Sequence, residues 1–547
     1  MKRTLSVNDK DHIDLLIVGG GIYGAAMAYY ATLNNLKVAL IEKDDFCSHT
    51  SANSQKVIHG GLRYLQSLDI KRVLESIRER QRFYTLFSHI VQPLPCVLPV
   101  SGWGMKSREA MGAAFYLYRF FQKFVCRNEF SAHLNKNPRL LSVKEILRMF
   151  PHLNVENLRG GALWYDGLCV EPERVVLGLL KRAAERGAAV ANYAKLTGIE
   201  RDENGILSAT VSNKITEEIS ILKTRKIALC TGPWLKDKFE LDALPEELES
   251  LALISGVNII TEPITDSGTS IALKPRKPEK GGLMFVLPWK EYSIAGTVWE
   301  EGGGTPNRSS ARRETTDQLN GAVQRSYPKS KKGSSLLLKS HFGYVPGSRD
   351  TTKKPADRVL PHYRFIDREK EQNGDILQIV GVKFTTVFDV TLKALAELFP
   401  GHQFRETVTE AELPVGSSHV SIENHLKSLE KNYGARVSAD ILKTLFGILG
   451  FELSRILDEY VFCTIPGKDE SISYDTVLKG LSRFFIEEEM VVSLVDLIQR
   501  RLFPDMEGLL AEHDLNIIAA EMALLLNWSS SDIEVEIEKV RQITQFS

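Results

Sequence analysis

IDLLIVGGGIYGAAMAYYATLNNLKVALIE, residues 13 to 42, sets the architecture of the chain. Ile13 to Val18 reads as a short buried strand, Ile22 to Asn34 as a helix whose Ala25, Ala26, Met27 and Ala28 allow close packing, and Leu36 to Glu42 as a second strand. Strand, helix and strand within about 30 residues make a βαβ unit. Such a unit needs parallel strands under covering helices, so the first domain is expected to be α/β. Gly19-Gly20-Gly21-Ile22-Tyr23-Gly24 between strand and helix fits G-x-G-x-x-G. Gly19 makes the tight turn, Gly21 lets the backbone approach a pyrophosphate, and Gly24 lets helix and strand close up. The pyrophosphate would sit on the helix N-terminus, where unbonded N–H groups and the dipole favour negative charge. Glu42, ending the second strand, would accept hydrogen bonds from a ribose 2′-hydroxyl and repel a 2′-phosphate, which argues against NADP.

The composition is that of a globular protein: 43% hydrophobic and 25% charged over 547 residues, a length for several domains. Lys plus Arg (69) balance Asp plus Glu (69), so no net field draws the chain to nucleic acid. The six cysteines, Cys47, Cys96, Cys126, Cys169, Cys230 and Cys463, form no C-x-x-C pair and stand near no histidine cluster. That pattern reads as reduced and intracellular, with no metal site. The uncharged run from Leu15 to Leu36 is long enough to span a bilayer as one helix. Its glycines interrupt it, and the acidic Asp9, Asp11 and Asp14 before it are the opposite of a secretory n-region.

Further along, Ile70 to Ser88 has the spacing of an amphipathic surface helix. Strand-like runs return at Gly187 to Ile199, Ile206 to Val211, Ile227 to Cys230, Leu283 to Leu287, Tyr292 to Val298 and Ile376 to Val380. The loops Lys274 to Gly282 and Tyr327 to Ser335, rich in Lys, Pro and Gly, read as solvated surface. Past Pro414-Val415-Gly416 the chain reads as helices: Ile422 to Asn432, Ala439 to Leu449, Tyr474 to Glu487 and Ile517 to Leu526. The expected division is a first part of a nucleotide-binding domain over 1–100, an interleaved substrate (cap) domain over 101–400 to which nucleotide-binding segments return near 151–235 and 340–400, and a helical domain over 415–547.

The glycine fingerprint does not choose between NAD and FAD. Residues 50 to 65, TSANSQKVIHGGLRYL, bring in a polar loop ending in His59-Gly60-Gly61-Leu62-Arg63-Tyr64. Together with Gly19 to Gly24 and Glu42, these residues closely resemble the FAD-dependent glycerol-3-phosphate dehydrogenases, within the D-amino-acid oxidase-like flavoproteins. Cys230-Thr231-Gly232-Pro233-Trp234, Val286-Leu287-Pro288-Trp289, Ile294-Ala295-Gly296-Thr297 and Gly381-Val382-Lys383-Phe384-Thr385-Thr386 resemble later motifs of that family. Glu488-Glu489-Met490 and Leu497 to Arg501 resemble its helical cap more weakly. The resemblance implies a Rossmann-like FAD-binding domain with an interleaved mixed-sheet substrate domain, α/β plus α+β, followed by an all-α C-terminal domain. It implies FAD held by Gly19, Gly21, Ile22, Tyr23, Gly24, Glu42, Thr50, Ser51, Ser54, Gly60, Gly61, Thr231, Gly232, Gly381, Thr385 and Thr386. The implied reaction is oxidation of sn-glycerol 3-phosphate to dihydroxyacetone phosphate, with electrons passed to a quinone.

A flavin oxidising a secondary alcohol takes hydride at N5 while a base removes the hydroxyl proton. His59 is the candidate base, its ordinary pKa lying near neutrality; a buried structural histidine is the alternative. Arg63 has the planar fork suited to a phosphate or carboxylate, and Lys383 would set a cation near the flavin pyrimidine. The chain also departs from the family pattern. Val345 in Gly343-Tyr344-Val345-Pro346 replaces an arginine that would bind substrate phosphate, a second expected arginine falls near Pro361, and Val387 replaces an aromatic. Arg349, Arg358 and Arg364 are candidates to restore the charge. Two other readings therefore stand beside the first: a same-fold flavin oxidoreductase acting on another small hydroxy or amino compound, and a non-catalytic flavin-binding interaction protein. Retention of His59, Arg63 and Lys383 argues against the last.

Phe115, Tyr116, Tyr118, Phe120, Phe121 and Phe124 crowd into Met111 to Cys126, with Arg119, Lys123 and Arg127 interleaved. Those charges and the length exclude a spanning helix. A core helix with outward basic residues and a helix lying in the membrane interface both fit. The resemblance favours the interfacial helix, because a quinone is dissolved in the membrane. The implied location is the cytoplasm, with peripheral contact on the inner face of the cell membrane.

Overall fold

The computed structural model describes all residues except 2, 4–11, 102–107, 127–133, 242–243, 266, 275–282, 303–311, 329–336, 370–373, 464–471, 503–510 and 546–547. Arg127 and most of the two lysine-rich loops therefore lie outside the described residues. Strand Ile13–Val18, helix Ile22–Leu33 and strand Val38–Ile41 form the expected unit. Its two strands are parallel, Leu15 facing Val38. Among the described residues the strands make one sheet of eight and one of nine.

The first sheet runs Arg364–Asp367, Ile376–Val380, Ile219–Leu229, Ile13–Val18, Val38–Ile41, Ala189–Ala191. It is parallel through its centre and antiparallel at the Arg364–Asp367 edge. Helix Ile22–Leu33 is buried on nearly all sides, its core cluster taking in side chains of helices Pro172–Glu185 and Val387–Leu398. A helix hydrophobic all round belongs in an interior, which is why this segment mimics a membrane span in hydropathy alone. No helix among the described residues is long and apolar enough to cross a membrane.

The second sheet runs Leu337–Ser348, Leu251–Thr261, Tyr292–Glu301, Met284–Trp289, Ser270–Leu273, Val91–Val100, Gly160–Cys169, Val57–Ile58 and is mostly antiparallel. Strand Val91–Val100 carries Pro93, Pro95 and Pro99, which disguise it in sequence because proline cannot donate to a ladder. It nonetheless pairs along its whole length with Gly160–Cys169. The chain visits this sheet between its passes through the first one, so the two are interleaved.

Helix Ile70–Leu86 corrects an expectation. It is not a surface helix: Ile77, Glu79, Arg80, Phe83 and Tyr84 are all buried. The buried Arg80 donates to Tyr165 O, to Tyr118 Oη at 3.1 Å and to Asn135 Oδ1 at 2.9 Å. Glu79 accepts from Phe388 N at 3.0 Å and Asp389 N at 3.3 Å, capping helix Val387–Leu398 from a distance in sequence. Charged residues at helical spacing resemble a solvated face in sequence, and only their partners show otherwise.

From Ile422 onward the described residues are helical, with a core of their own that includes Leu442, Leu453, Phe484 and Ile498. Buried charges tie this part to the first sheet. Asp45, three residues past Glu42, accepts from Arg500 Nε at 2.6 Å and from both terminal nitrogens of Arg501 at 3.0 Å. Glu489 receives a forked pair from Arg174 at 2.8 and 2.9 Å and lies 3.2 Å from Arg501 Nε. Burial opposes ionisation of Glu489, but Arg174, Lys181 and Arg501 outweigh it and hold the carboxyl at about 2. A depressed folded pKa contributes stability above the unfolded value that is lost as pH falls through the folded one. Glu489→Gln leaves Arg174 buried without its anion and Arg501 with Asp45 alone, so we expect a loss of about 3 to 5 kcal/mol at pH 7. Urea midpoints measured in parallel should show the gap between wild type and variant closing as pH falls from 4.5 towards 2.

Candidate active site

The glycine turn opens onto a groove of about 920 Å³, its open mouth included, lined by Gly19, Gly21, Ile22, Tyr23, Glu42, Thr50, Ser51, Thr231, Gly232 and Gly381. Gly19 adopts φ +114°, and a Cβ there would collide with the carbonyl oxygen of Cys230. A Cβ on Gly24 would fall inside the carbonyl of Gly19. Ser51 Oγ accepts from Ile22 N at 3.1 Å at the start of the helix. Glu42 accepts from Gly20 N at 2.6 Å and Asp44 N at 2.9 Å; burial nevertheless pushes its carboxyl up. A carboxylate has about four lone-pair positions, so these two bonds leave capacity facing the groove.

Two groove residues beyond those singled out in sequence, Lys43 and His49, gather on Trp234. Lys43 Nζ lies 3.4 Å from the ring centre of Trp234, and His49 meets the same ring edge-on at 4.4 Å. Nothing in the spacing of positions 43, 49 and 234 predicts that they meet.

At the other end, Thr50 Oγ1 exchanges hydrogen bonds with Tyr344 O (3.1 Å) and Tyr344 N (3.0 Å), tying the polar loop to the second sheet. Ser54 Oγ accepts from Lys56 N at 3.1 Å within the loop, a local turn contact. Tyr23 Oη donates to Lys383 O at 2.8 Å, and its ring fills the place where a Cβ on Gly381 would stand. Burial pushes the Tyr23 phenol up to about 12, so it stays a donor. Thr231 accepts from Gln378 Nε2 at 3.2 Å. Thr385 is buried and Thr386 half-buried, in the short turn Phe384–Thr386 that leads into helix Val387–Leu398.

Strand register brings His59 and Asp166 together. Val57 faces Leu168 and Ile58 faces Gly167 in an antiparallel ladder. The next step therefore sets His59 across from Asp166. His59 Nδ1 lies 3.1 Å from Asp166 Oδ2, whose other oxygen accepts from Gly60 N at 2.8 Å, while Trp164 Nε1 adds a third bond at 3.2 Å. Burial works against the charged carboxylate, but the bond and charge of His59, the Gly60 N–H and Arg80 hold Asp166 below its ordinary value. A carboxylate on Nδ1 fixes the tautomer with the proton there and leaves Nε2 its lone pair. The His59 side chain is 54% exposed, which excludes the buried structural histidine considered from sequence. Gly60 is fixed from the other side too, its carbonyl accepting from Tyr118 Oη at 2.8 Å. Gly61, at φ +81°, starts the turn Leu62–Ser67. Asp166 sits 107 positions from His59, and no local motif marks it.

Lys383 Nζ donates to Tyr64 Oη at 2.7 Å, bringing the Gly381–Thr386 loop onto the His59–Tyr64 segment. Arg63 is exposed in this segment and makes no hydrogen bond or ion pair among the described residues. Of the arginines proposed to restore lost charge, Arg358 is buried and spent on Ser348 O and Glu301, and Arg349 reaches Leu251 O. No cluster of His, Cys, Asp and Glu among the described residues could hold a metal ion.

The family model described as FAD dependent oxidoreductase (DAO) matches residues 14–373. The chain is 26% identical to a glycerol-3-phosphate dehydrogenase of Synechocystis sp. over 89% of this chain and 88% of that one. It is also 26% identical to the aerobic glycerol-3-phosphate dehydrogenase of Staphylococcus aureus over 97% and 94%. Among solved structures, the glycerol-3-phosphate dehydrogenase from Bacillus halodurans complexed with FAD superposes with a TM-score of 0.73 at 20% identity, over 98% of this chain and 95% of that one. The turn that only glycine fits, the carboxylate ending the second strand and the helix N-terminus between them suit an FAD pyrophosphate and ribose, and the chain belongs to the DAO family of FAD-dependent oxidoreductases.

Proposed function

We propose that the enzyme oxidises sn-glycerol 3-phosphate to dihydroxyacetone phosphate and passes the electrons to a membrane quinone. The observation that carries the reading is the His59–Asp166 pair, a general base in a fixed tautomer on the same segment as Arg63 and Tyr64. The names of the relatives support the substrate. FAD, when bound, supplies the hydride acceptor. The residues do the rest. Nε2 of His59 takes the hydroxyl proton, and Asp166 stabilises the imidazolium that results. Lys383 holds a positive charge on the Tyr64 hydroxyl, and exposed Arg63 is available to an anionic substrate. Gly19, Gly21, Ile22, Tyr23, Glu42, Thr50, Ser51, Thr231, Gly232 and Gly381 line the groove offered to the cofactor; Gly24 lets its turn close, Thr385 and Thr386 stand in the turn after Gly381, and Ser54, Gly60 and Gly61 belong to the loop that ends in the His59 segment. The separate helical core supports the helical domain 415–547, whereas strands Val57–Ile58, Val91–Val100 and Gly160–Cys169, which fall within the segments 1–100 and 151–235 read as nucleotide-binding, belong to the second sheet.

Helix Arg108–Val125 supports the membrane half of the proposal. Phe115 and Tyr118 are core residues, whereas Tyr116, Phe120 and Phe124, four residues apart, are 79, 63 and 71% exposed. Arg119 and Lys123 are exposed beside them. An exposed aromatic stripe flanked by cations suits a helix lying in the headgroup region. The location this implies is the inner face of the cell membrane.

Anaerobic addition of glycerol 3-phosphate should bleach the flavin absorbance, with a panel of hydroxy and amino acids giving little change; the reverse order would move the substrate to the second class considered above. Asp166→Asn should slow flavin reduction about ten- to a hundredfold at unchanged flavin content, the loss of one charge-assisted bond. Glu42→Arg should purify with less FAD, measured as the absorbance ratio of flavin to protein. Phe120→Asp with Phe124→Asp should abolish sedimentation with anionic liposomes at low salt while leaving the flavin in place. If that double variant instead binds liposomes as the wild type does, the stripe is not a membrane contact.

A further inference from the structure

Beside Lys383 the structure gathers cations that the sequence keeps apart. Arg72 Cζ lies 5.4 Å from the ring centre of Tyr64, and Lys383 Nζ lies 5.3 Å from the same centre while donating to its hydroxyl. The terminal amino group of Arg72 donates to Nε2 of His362. Asp69, which caps helix Ile70–Leu86, holds Arg72 Nε at 3.0 Å. Lys383 has no carboxylate within ion-pair distance among the described residues, and Lys71 adds a further charge near His362. On the far side of Lys383, Glu75 is engaged with Asp389 and Lys393.

Asp69 occupies the Nε edge of Arg72, but the terminal amino group spends its bond on a neutral imidazole, and a phosphate oxygen is a stronger partner for that end of the fork. Burial, Arg72 and Lys383 keep His362 below its ordinary range, with Asp69 opposing. In that state the imidazole accepts from Arg72. An oxyanion arriving between them would reverse this: it stabilises the protonated imidazole, and both groups then turn their donors to the anion. His362 directly follows Pro361, near the position of one missing arginine, and Val345 stands at the other, on strand Leu337–Ser348.

We infer that Arg72 and His362, with Lys383 and Tyr64, form the phosphate-binding half of the substrate site in this chain, in place of the arginines absent at Val345 and near Pro361. This deepens the proposed reaction and rests on it for the identity of the phosphate ester. Because one donor is a histidine, substrate affinity becomes pH-dependent. Binding then takes up a proton on His362, so above about pH 7, where a phosphate monoester is already dianionic, KM rises with pH until the phosphate-bound imidazole itself deprotonates, while the turnover number does not follow it.

The test uses full-length protein loaded with FAD, titrated calorimetrically with inorganic phosphate and assayed with glycerol 3-phosphate. Arg72→Gln should weaken phosphate binding and raise KM by about ten- to a hundredfold, with kcat within about twofold and flavin content unchanged. His362→Gln, at an exposed position that tolerates substitution, should flatten the rise of KM above pH 7. Wild-type phosphate affinity in both variants would overturn the assignment, as would parallel loss of flavin and kcat in both. If the variants lose phosphate binding but glycerol 3-phosphate never reduces the wild-type flavin, the reaction falls and the anion site stands. Reduction of the flavin with unaltered KM in both variants leaves the reaction standing and removes the site.

Discussion

The carbonyl of Gly19 lies so close to the α-carbon of Gly24 that no side chain fits between strand and helix. Much of the molecule follows from that contact. It seats the first turn of helix Ile22–Leu33 on the end of strand Ile13–Val18, so the unbonded N–H groups face the groove. It also draws the helix into the interior, where side chains of helices Pro172–Glu185 and Val387–Leu398 share its core. The second of these follows the Gly381–Thr386 turn, and Tyr23, one residue inside the first helix, bonds the carbonyl of Lys383. The phosphate end and the lysine end of the site are thus set by one helix.

The second sheet supplies what the first cannot. A parallel sheet presents strand ends and loops, which suit a cofactor. An antiparallel ladder fixes which side chains stand opposite each other, which suits a proton-transfer pair. Residues 57 to 59 use the ladder to meet Asp166. Helix Ile70–Leu86 lies between the two tasks: Arg80 braces the backbone on either side of Asp166 through Tyr165 and Tyr118, while Glu79 caps the helix behind Lys383.

Local patterns were legible in sequence and distant partnerships were not. The bounds of Ile376–Val380 and Ala439–Leu449 match the sequence pattern to the residue because turn or cap residues flank each. The glycine fingerprint, Glu42 and His59 carry their chemistry on a few adjacent residues. Strand Val91–Val100 was hidden by its prolines, and the buried face of Ile70–Leu86 by its charges. Asp166, Trp234, Arg72 and His362 acquire meaning only when segments a hundred or more residues apart are brought together. The aromatic crowd at 115–124 was half legible: its helical spacing could be counted, but which residues turn to the core depends on the neighbours.

The pairing of Asp45 with Arg500 and Arg501 has a consequence in the order of synthesis. Strand Val38–Ile41 and the loop after it leave the ribosome early, yet the cations that neutralise Asp45 are more than 450 positions later. Until those arrive, Asp45 lacks both guanidinium groups and has Asn192 Nδ2, at 3.0 Å, as the side-chain partner nearest in sequence. The ion pairs that join the loop after Glu42 to the helical end are thus completed only by residues made nearly last.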